Sequence, residues 1–278
     1  MVQEVKQHRL SFNDIVGTIR KLLRNLFLYF LGTFKRPAPY VVILNGHMVD
    51  WHHDNNQDGE RFSKLLEKLH RDCDFVNFED AVRMIVNHES VKRCTIAFTF
   101  DDGWRDCYTQ IVPQLEKFGV NAMFFINPNA ADAAQKCNQA YIDNFTVNTT
   151  KSPGKYLMTW DQIKDLQKRG FLFGAHTLDH YCINDDNIEE LKHQICDCRV
   201  RIEEKLGVPC DYFAFPYGRL EHANPLSIDI ACNCYKYVFS QSDHKHFFSF
   251  GGRVINRRHF EPFWPISHVR YFLSAKRS

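Results

Sequence analysis

Short apolar runs alternate with segments of helical periodicity along most of the chain, and this alternation limits the possible folds more than any other feature of the sequence. Strands that alternate with helices are typical of an α/β fold, a parallel sheet with helical crossovers. The strand-like runs occupy residues 40–44, 94–100, 122–126, 171–174, 212–215 and 235–240, with an irregular seventh at 247–260. No glycine-rich phosphate loop follows any run, as it would in an open nucleotide-binding sheet. About seven such units predict a barrel-like closure of a parallel α/β sheet rather than an open sheet.

The segments between the strands predict helices and a division of the chain into two parts. Helical periodicity covers residues 60–70, 79–87, 106–118, 159–169 and 187–206. Residues 130–155 are polar and aperiodic, and they predict a loop over one face of the sheet. Pro37 and Pro39 end an N-terminal helix. We therefore expect residues 1–36 to form a helical extension and residues 37–278 to form the barrel with a C-terminal helix.

The helix predicted at residues 15–34 is too interrupted to span a membrane. Its longest uncharged apolar run, residues 26–31, falls well short of the ~20 apolar residues that a bilayer crossing needs. The pattern fits a helix packed on the barrel. It also fits an interfacial helix that buries Phe and Leu among lipids and keeps Lys and Arg at the headgroups. Peripheral membrane contact through this helix stays open as a hypothesis.

Charge and cysteine content narrow the class of protein. Lys and Arg number 35 against 33 Asp and Glu, so there is no basic excess for binding nucleic acid. The ten cysteines lack zinc-knuckle spacing, and a chain of this size can bury a core without disulfides. We therefore expect reduced, partly buried thiols. Residues 1–20 are polar and show no signal-peptide pattern, which with the thiols predicts a cytoplasmic protein.

Polar side chains follow the predicted strands, at the end where a parallel barrel carries its chemistry. His47 follows the first strand, and Asp101 and Asp102 end the second. His176 and His180 come after the fourth, four residues apart at a predicted strand-to-helix junction, so one turn of backbone could aim both imidazoles at one point. Two imidazoles and a carboxylate suit zinc or a similar divalent transition metal. Polar residues also end the third, fifth and sixth strands, at residues 127–129, 216–218 and 241–243.

The adjacent carboxylates are expected to divide the work of a hydrolase. Successive side chains of an extended strand diverge, so Asp101 and Asp102 cannot both bind a metal from the same side. One of them would bind the metal, and the other would take a proton from water that the metal has acidified towards a pKa of ~7. This chemistry hydrolyses an amide or an ester. His47, at a neighbouring strand end, is a further candidate for direct or indirect contact with the site.

Three segments resemble the main motifs of the polysaccharide deacetylases, also known as the NodB-homology family or carbohydrate esterase family four. They are TFDDG at residues 99–103, HTLDH at residues 176–180 and FAFPYG at residues 213–218. The last is similar to the version of the third motif that one branch of the family carries. The resemblance extends over residues 40–260 and implies a distorted (β/α) barrel that removes N-acetyl groups from amino sugars with a divalent metal.

The resemblance also implies roles for individual residues. Asp101 is similar to the family's general base. Tyr217 matches the residue whose backbone N–H helps to hold the oxyanion. Thr177 matches a small hydroxyl residue that we expect to shape its loop. The family's Asp-His-His metal triad is matched by Asp102, His176 and His180.

Two features depart from the common family pattern. The arginine that orients the base in the third motif is replaced by Ala214, and a positive partner could instead come from Arg257 or Arg258. The late motif that supplies the general acid is not clear. The candidates for this role are His47, His259 and His268. The last of these falls in a predicted terminal helix and is expected to be structural.

The function predicted from the residues and the resemblance is metal-dependent N-deacetylation of an amino sugar. A cytoplasmic member would not meet finished extracellular polymers, so we expect a nucleotide-linked or lipid-linked precursor of a polysaccharide or glycoconjugate. Two alternatives stay open. One is hydrolysis of a different amide, in an N-formyl sugar or a cyclic imide, and the other is a carbohydrate-binding relative without activity. The sequence predicts no oligomeric state.

Overall fold

One curled, mostly parallel sheet carries the fold. A computed structural model describes residues 12–50, 58–150, 155–241, 245–275 and 277. Within these residues the strands are β1 (Val41–Gly46), β2 (Cys73–Phe75), β3 (Cys94–Asp101), β4 (Ala122–Ile126), β5 (Leu172–Ala175), β6 (Tyr212–Ala214), β7 (Tyr237–Ser240), β8 (Phe248–Ser249), β9 (Val254–Asn256) and β10 (Arg258–His259). Their order is β10-β1-β3-β4-β5-β6-β7-β9-β8, with β2 paired to β3. Only the pairing of β8 with β9 is antiparallel in the described sheet.

The consecutive strands β9 and β10 join the two ends of the curled parallel sheet, β7 and β1. β9 pairs with β7 and β10 pairs with β1, although only Arg257 separates β9 from β10. The Arg257 N–H donates to the Ser240 carbonyl at 3.1 Å, and the Phe260 N–H donates to the Asn45 carbonyl at 2.9 Å. The predicted distorted (β/α) barrel is confirmed. The expected count of about seven strands is too low, because β2 and β8 are short additions and the closing strand is split at Arg257.

The strands are buried on both faces, which explains their apolar runs. All residues of β1 and β3 are buried. Alternate residues of β1 belong to two different clusters, since Val42 packs in the outer one and Val41 in the inner one. The helix Phe78–Val86 contributes Phe78 and its buried face to the inner cluster. The interior of the curl is therefore filled with side chains.

Helices pack around the sheet. Those described are α1 (Phe12–Phe34), α2 (Asp58–Asp72), α3 (Phe78–Val86), α4 (Val112–Glu116), α5 (Pro128–Gln135), α6 (Gln139–Thr150), α7 (Trp160–Lys168), α8 (Ile188–Lys192), α9 (Cys198–Leu206), α10 (Pro225–Cys234) and α11 (Ile266–Leu273). π-helical turns at Cys107–Ile111 and His193–Asp197 lead into α4 and α9. The helices predicted between the strands are confirmed with shifted ends. Asn187 caps α8 by accepting from the Glu190 N–H, and Gly207 ends α9 at a φ of 69°.

The prediction of a loop at residues 130–155 was wrong for most of its length. α5 and α6 occupy it, and residues 151–154 lie outside the described part of the chain. The Thr146 and Thr150 hydroxyls donate to the carbonyls four residues earlier, at 2.6 and 2.7 Å. The polar residues of α6 thus bond to its own backbone, and little apolar periodicity is needed beyond Ile142 and Phe145, which pack in the core.

α1 contacts the barrel along α11 and leaves much of its surface exposed. Leu28 is buried, and Gly32 approaches Ser267 so closely that an added Cβ would lie 1.8 Å from the Ser267 carbonyl oxygen. None of the helices in the described ranges combines the length and apolar character that a bilayer crossing requires. Residues 1–11 lie outside those ranges, so the boundary drawn after residue 36 stays a prediction.

The prediction that all thiols are reduced was wrong for one pair. Cys196 and Cys234 form a disulfide, with their Cα atoms 5.8 Å apart. The other eight cysteines are free. Cys196 lies in the π-helical turn before α9, and Cys234 ends α10. Neither residue is near its partner in sequence, so only the packing of these two helical segments brings the sulfurs together.

Candidate metal centre and active site

Asp101 and Asp102 lie where β3 ends, and the backbone turns them apart. Asp101 is the last residue of the strand. Asp102 then adopts a left-handed φ of 73°, and Gly103 follows with a φ of 74°. Both carboxylates are buried, with exposures of 2% and 5%. The tight turn gives the two adjacent carboxylates different neighbours, as the sequence predicted.

The loop after β5 carries His176 and His180, and the turn of backbone between them is not helical. Thr177 and His180 have left-handed φ values of 61° and 60°, and α8 begins well beyond them. The Asn127 side chain donates to the carbonyls of His176 and Thr177 at 2.5 and 3.0 Å. The Thr177 hydroxyl accepts from the Tyr181 N–H at 2.8 Å, so this residue does shape the loop. Two left-handed residues and these hydrogen bonds define the turn that brings the two histidines together.

Three side chains converge on one point. Asp102 Oδ1 lies 3.4 Å from His176 Nε2 and 3.3 Å from His180 Nε2. This oxygen is buried and has no hydrogen-bond donor among the described residues, while Trp104 Nε1 donates to Oδ2 at 3.0 Å. His176 Nδ1 faces the Ala214 carbonyl at 2.6 Å. Because a carbonyl only accepts, Nδ1 carries a proton, and Nε2 is the ring nitrogen that faces Asp102.

The donor set fits a divalent metal ion. The ligand atoms of Asp102, His176 and His180 all lie within 4.8 Å of one another. A carboxylate oxygen with two imidazole nitrogens is a set that zinc and similar transition metals bind. Burial opposes the ionisation of Asp102, but its interactions with His180 and His176 outweigh burial and hold its pKa well below the usual value. The carboxylate is therefore ionised, as a ligand must be.

Asp101 forms a bidentate ion pair with Arg257. Nη1 donates to Oδ1 and Nη2 donates to Oδ2, each at 2.8 Å, and both side chains are buried. Burial opposes ionisation, but the charge of Arg257 outweighs it and lowers the pKa of Asp101. The sequence left Arg257 and Arg258 open as substitutes for the arginine missing at Ala214. The structure places Arg257 on this carboxylate.

Arg257 is held by further polar contacts. Its Nη1 also donates to Asn45 Oδ1 at 2.8 Å and to Thr99 Oγ1 at 3.0 Å. Arg258 takes another direction, and its guanidinium lies over the ring of Phe272 at 4.5 Å. Successive residues of a strand face opposite sides of the sheet, which explains why only one of the two arginines reaches the interior.

His47 is paired with a buried carboxylate that belongs to a distant part of the chain. His47 Nδ1 lies 2.8 Å from Glu261 Oε1, and the His47 backbone N–H donates to Oε2 at 3.3 Å. Burial disfavours the charged imidazole, but the charge and hydrogen bond of Glu261 outweigh it and raise the pKa of His47 to about 9. His47 therefore carries a proton at neutral pH.

The other two candidate acids differ from His47. His259 Nε2 lies 3.6 Å from Glu261 Oε1, and burial together with the charge of His47 lowers the pKa of His259 to about 3. His259 is therefore neutral at pH 7, so it is not the imidazolium that a general acid would require. His268 lies in α11 next to Asn25 and Arg24 of α1. The structural role expected for His268 agrees with this position.

One cavity of about 490 Å³ is lined by all six residues that the sequence predicted, namely His47, Asp101, Asp102, His176, His180 and Tyr217. Tyr217 has a left-handed φ of 62°, is half exposed, and its ring lies 4.7 Å from that of His180. Gly218 continues the turn with a φ of 66°, and a Cβ there would lie 2.3 Å from the Cβ of Gln241. Only glycine fits this position, which fixes Tyr217 in the cavity wall.

Two neighbours of the site were not found from the sequence. Glu261 is 214 residues away from His47, and no motif or spacing connects them. Trp104 directly follows the TFDDG segment, so its position beside Asp102 was the one available signal. Ser242 and Asp243, which the sequence placed at a strand end, lie outside the described residues.

Comparison with known proteins gives the family. A family model described as polysaccharide deacetylase matches residues 88–231, just over half of the chain. A curated relative, YxkH of Bacillus subtilis (strain 168), whose name places it among the polysaccharide deacetylases, is 22% identical over 142 residues. That match covers 51% of this chain and 43% of YxkH, so the chain aligns with less than half of the relative's length.

Solved structures show the same fold. The deacetylase PplD of Streptococcus pyogenes, solved with acetate, superimposes with a TM-score of 0.64 at 19% identity over 85% of this chain and 99% of that chain. IcaB of Ammonifex degensii gives a TM-score of 0.63 at 20% identity over 87% of this chain and 100% of that chain. These structures show the fold, and the match of the family model to residues 88–231 shows that the chain belongs to the polysaccharide deacetylase family.

Proposed function

We propose that this protein is a metal-dependent hydrolase that removes an N-acetyl group from an amino sugar. The observation that carries the proposal is the buried Asp102 Oδ1, which faces two imidazole nitrogens while a second carboxylate, Asp101, lines the same cavity. Membership of the polysaccharide deacetylase family supports the chemistry. The proposal covers residues 37–278 as the deacetylase domain and residues 1–36 as its extension.

Asp102, His176 and His180 would hold the metal, since their donor atoms suit zinc or a similar divalent transition metal. When bound, such an ion would polarise the amide carbonyl and acidify a water molecule. Asp101 would take the proton of that water as general base. Arg257 keeps the Asp101 carboxylate ionised and in one orientation, as a base at this position requires.

The leaving nitrogen needs a proton, and we assign its delivery to His47. His47 is protonated at neutral pH because Glu261 raises its pKa, and it lines the same cavity as Asp101. Tyr217 would contribute its backbone N–H to the developing oxyanion, which needs a fixed donor rather than a particular side chain. The left-handed turn at Tyr217 and Gly218 supports this role, because it fixes the backbone locally.

The proposed substrate is a precursor of a polysaccharide or glycoconjugate, linked to a nucleotide or a lipid. The same residues could hydrolyse a different amide, such as that of an N-formyl sugar or a cyclic imide. A non-catalytic carbohydrate-binding relative is disfavoured, because the Asp101–Arg257 pair and the three metal-binding side chains are all present in one cavity.

The test is acetate release by the purified full chain from N-acetylated amino sugars linked to a nucleotide or to a lipid. Asp101→Asn should reduce turnover by about 10²–10⁴-fold, the usual contribution of a general base, while the metal content stays unchanged. Asp143→Asn, on the exposed face of α6, is the matched control and should keep full turnover. Undiminished turnover in Asp101→Asn would show that the base is misassigned. The matching N-formyl sugars are assayed in parallel, and formate release from them without acetate release from the N-acetylated sugars would favour the alternative amide.

We also propose peripheral membrane contact through residues 15–34. Leu22, Leu26 and Phe30 on α1 are between 57% and 65% exposed, on the side opposite the buried Leu28. The same helix also exposes Arg20 and Arg24, and such cations accompany apolar residues in helices that lie at an anionic lipid surface. The occupant we assign to the face is therefore an anionic bilayer.

A cytoplasmic location stays a prediction of the sequence. The disulfide between Cys196 and Cys234 argues against it, because disulfides persist mainly in oxidising compartments. Alkylation of the protein in denaturant directly on isolation, followed by a count of the alkylated cysteines by mass spectrometry, distinguishes the two cases. Eight reactive thiols would support the disulfide, and ten would support a reducing location.

A further inference from the structure

A second cavity, of about 580 Å³, opens beside the candidate active site and shares Gln241 and His259 with it. We refer to it as the side cavity. Three cationic side chains line it, Arg24 and Lys35 near α1 and Arg258 on β10, and no carboxylate belongs to its described lining. A concave surface with three positive charges and no negative charge favours an anionic ligand.

Arg258 is the cation whose surroundings most clearly call for an anion. Its Nε is buried and has no hydrogen-bond partner within the described part of the chain, and burial lowers the pKa of the guanidinium. The ring of Phe272 covers one face of the group at 4.5 Å. The adjacent Arg257, by contrast, is bonded to Asp101 through both Nη atoms. A partly buried guanidinium without a carboxylate is costly, and a bound anion would relieve this cost.

The chemistry of the side cavity limits the class of anion that it can bind. A guanidinium offers N–H donors in a planar fork that matches the oxygens of a phosphate, and lysine adds a point charge. Trp264 and Tyr271 place aromatic surface next to these cations. Such a lining suits a phosphate ester whose other substituent is apolar or aromatic.

We infer that the side cavity binds the phosphate of a phosphate-linked amino sugar whose N-acetyl group lies in the adjoining candidate active site. Gln241 and His259 line both cavities, so a ligand that extends past these two side chains would reach from one cavity into the other. This inference rests on the proposed deacetylase function and adds the site that binds the phosphate of its substrate. The phosphate can belong to a nucleotide or to an isoprenoid lipid, and the experiment separates these two sources.

The experiment measures anion binding directly, by calorimetric titration of the full chain with farnesyl phosphate and with uridine diphosphate at fixed ionic strength. Arg258→Gln and Lys35→Gln should each weaken binding about tenfold or more, as expected for the loss of a charge-assisted hydrogen bond. Arg258→Lys should recover part of the loss, because it keeps the charge without the fork. Arg93→Gln removes the same charge from an exposed arginine paired with Asp74 and should leave binding unchanged.

The outcomes separate the inference from the proposed function. Tighter binding of farnesyl phosphate would assign a lipid carrier, and tighter binding of uridine diphosphate would assign a nucleotide. Failure of both ligands to bind, or equal affinity in wild type, Arg258→Gln and Lys35→Gln, would overturn the inference; Lys35 is exposed, so its variant does not depend on the packing around Arg258. Binding that responds to the variants without acetate release from any sugar would refute the deacetylase function and retain the phosphate site.

Discussion

At the scale of single residues, Asp101 and Asp102 show how two identical side chains acquire different roles from the residues that they contact. Asp101 faces Arg257, whereas Asp102 Oδ1 faces two imidazoles. The left-handed φ of Asp102 produces this separation, because it turns the second carboxylate away from the strand direction. The same surroundings decide protonation, since both pKa values are lowered against the effect of burial.

The first prediction concerns the stability that the Asp101–Arg257 pair provides. Arg257→Met would leave the buried Asp101 carboxylate unpaired, which should lower the free energy of unfolding by about 3–5 kcal/mol. Arg270→Met is the control, because its pair with Asp72 is about a quarter exposed and is worth at most ~1 kcal/mol. Urea denaturation measures both variants, and equal losses in the two would contradict the expected difference.

The second prediction concerns the alkaline limb of activity. A raised pKa means that protonated His47 is present below pH 9 and is lost as the pH rises through that value. Glu261→Gln removes the negative charge that raises the pKa of His47, so the pKa should fall towards ~6.5. If His47 is the acid, the high-pH decline of kcat/KM should move down by one or more pH units in the variant.

The pH profile of Glu204→Gln serves as the comparison for that experiment. Glu204 is exposed on α9, outside the cavity. Its profile should coincide with that of the wild type. An alkaline limb that stays in place in Glu261→Gln would show that His47 is not the acid.

At the scale of elements, the site depends on how the chain leaves its strands. The exits from β3 and β5 contain left-handed residues, and so does the turn at Tyr217 and Gly218 after β6. These turns aim side chains from three loops into one cavity without a helix. The helix α1, unlike these turns, contributes none of its described residues to the cavity of the candidate active site. Its helical periodicity produces an apolar face that the barrel does not cover.

The third prediction tests that face. Replacing Leu26 and Phe30 together by Glu should reduce binding of the full chain to phosphatidylglycerol-containing vesicles by tenfold or more, because each buried apolar side chain contributes about 1.5–3 kcal/mol. Val208→Glu is the matched control, since Val208 is 47% exposed in the loop after α9. Flotation measures the bound fraction, and undiminished binding of the double variant would exclude α1 as the contact.

At the scale of the whole molecule, closure of the sheet assembles the site. The segment from β9 to β10 bridges β7 and β1, and it carries Arg257 to Asp101 and, through Glu261, a carboxylate to His47. Residues from the N-terminal and C-terminal halves of the chain therefore meet at the edge of the sheet that carries the site. A bound cation at this edge would connect β3 and the loop after β5, and it would stabilise the folded state as a whole.

The fourth prediction is that metal removal lowers stability as well as activity. Elemental analysis should find one divalent ion per chain, and chelation should lower the Tm, since a free ion at 100 times its Kd stabilises by about 2.7 kcal/mol. His180→Ala should lose the ion and the chelator response together. His193→Ala removes an exposed histidine paired with Asp197 and should behave like the wild type. A chelator response of equal size in His180→Ala would contradict the assigned ligands.

Local patterns in the sequence determined most of the strands, the barrel and six of the residues that line the cavity. Apolar runs define the strands because both faces are buried, and polar residues directly after parallel strands must meet at one rim. The sequence could not choose between Arg257 and Arg258, because the choice depends on which face each presents where the sheet closes. It also gave no sign of α6 as a helix, since the threonines of α6 bond to its own backbone.

Only the tertiary structure decided the contacts between distant parts of the chain. The pairing of His47 with Glu261 spans 214 residues, and the disulfide spans 38. The exposed face of α1 is likewise visible only once its packing against α11 is known. Periodicity and turn chemistry are local properties that a sequence displays directly. Long-range contacts depend on strand register and on the closing of the curl, and they exist only when the whole sheet has formed.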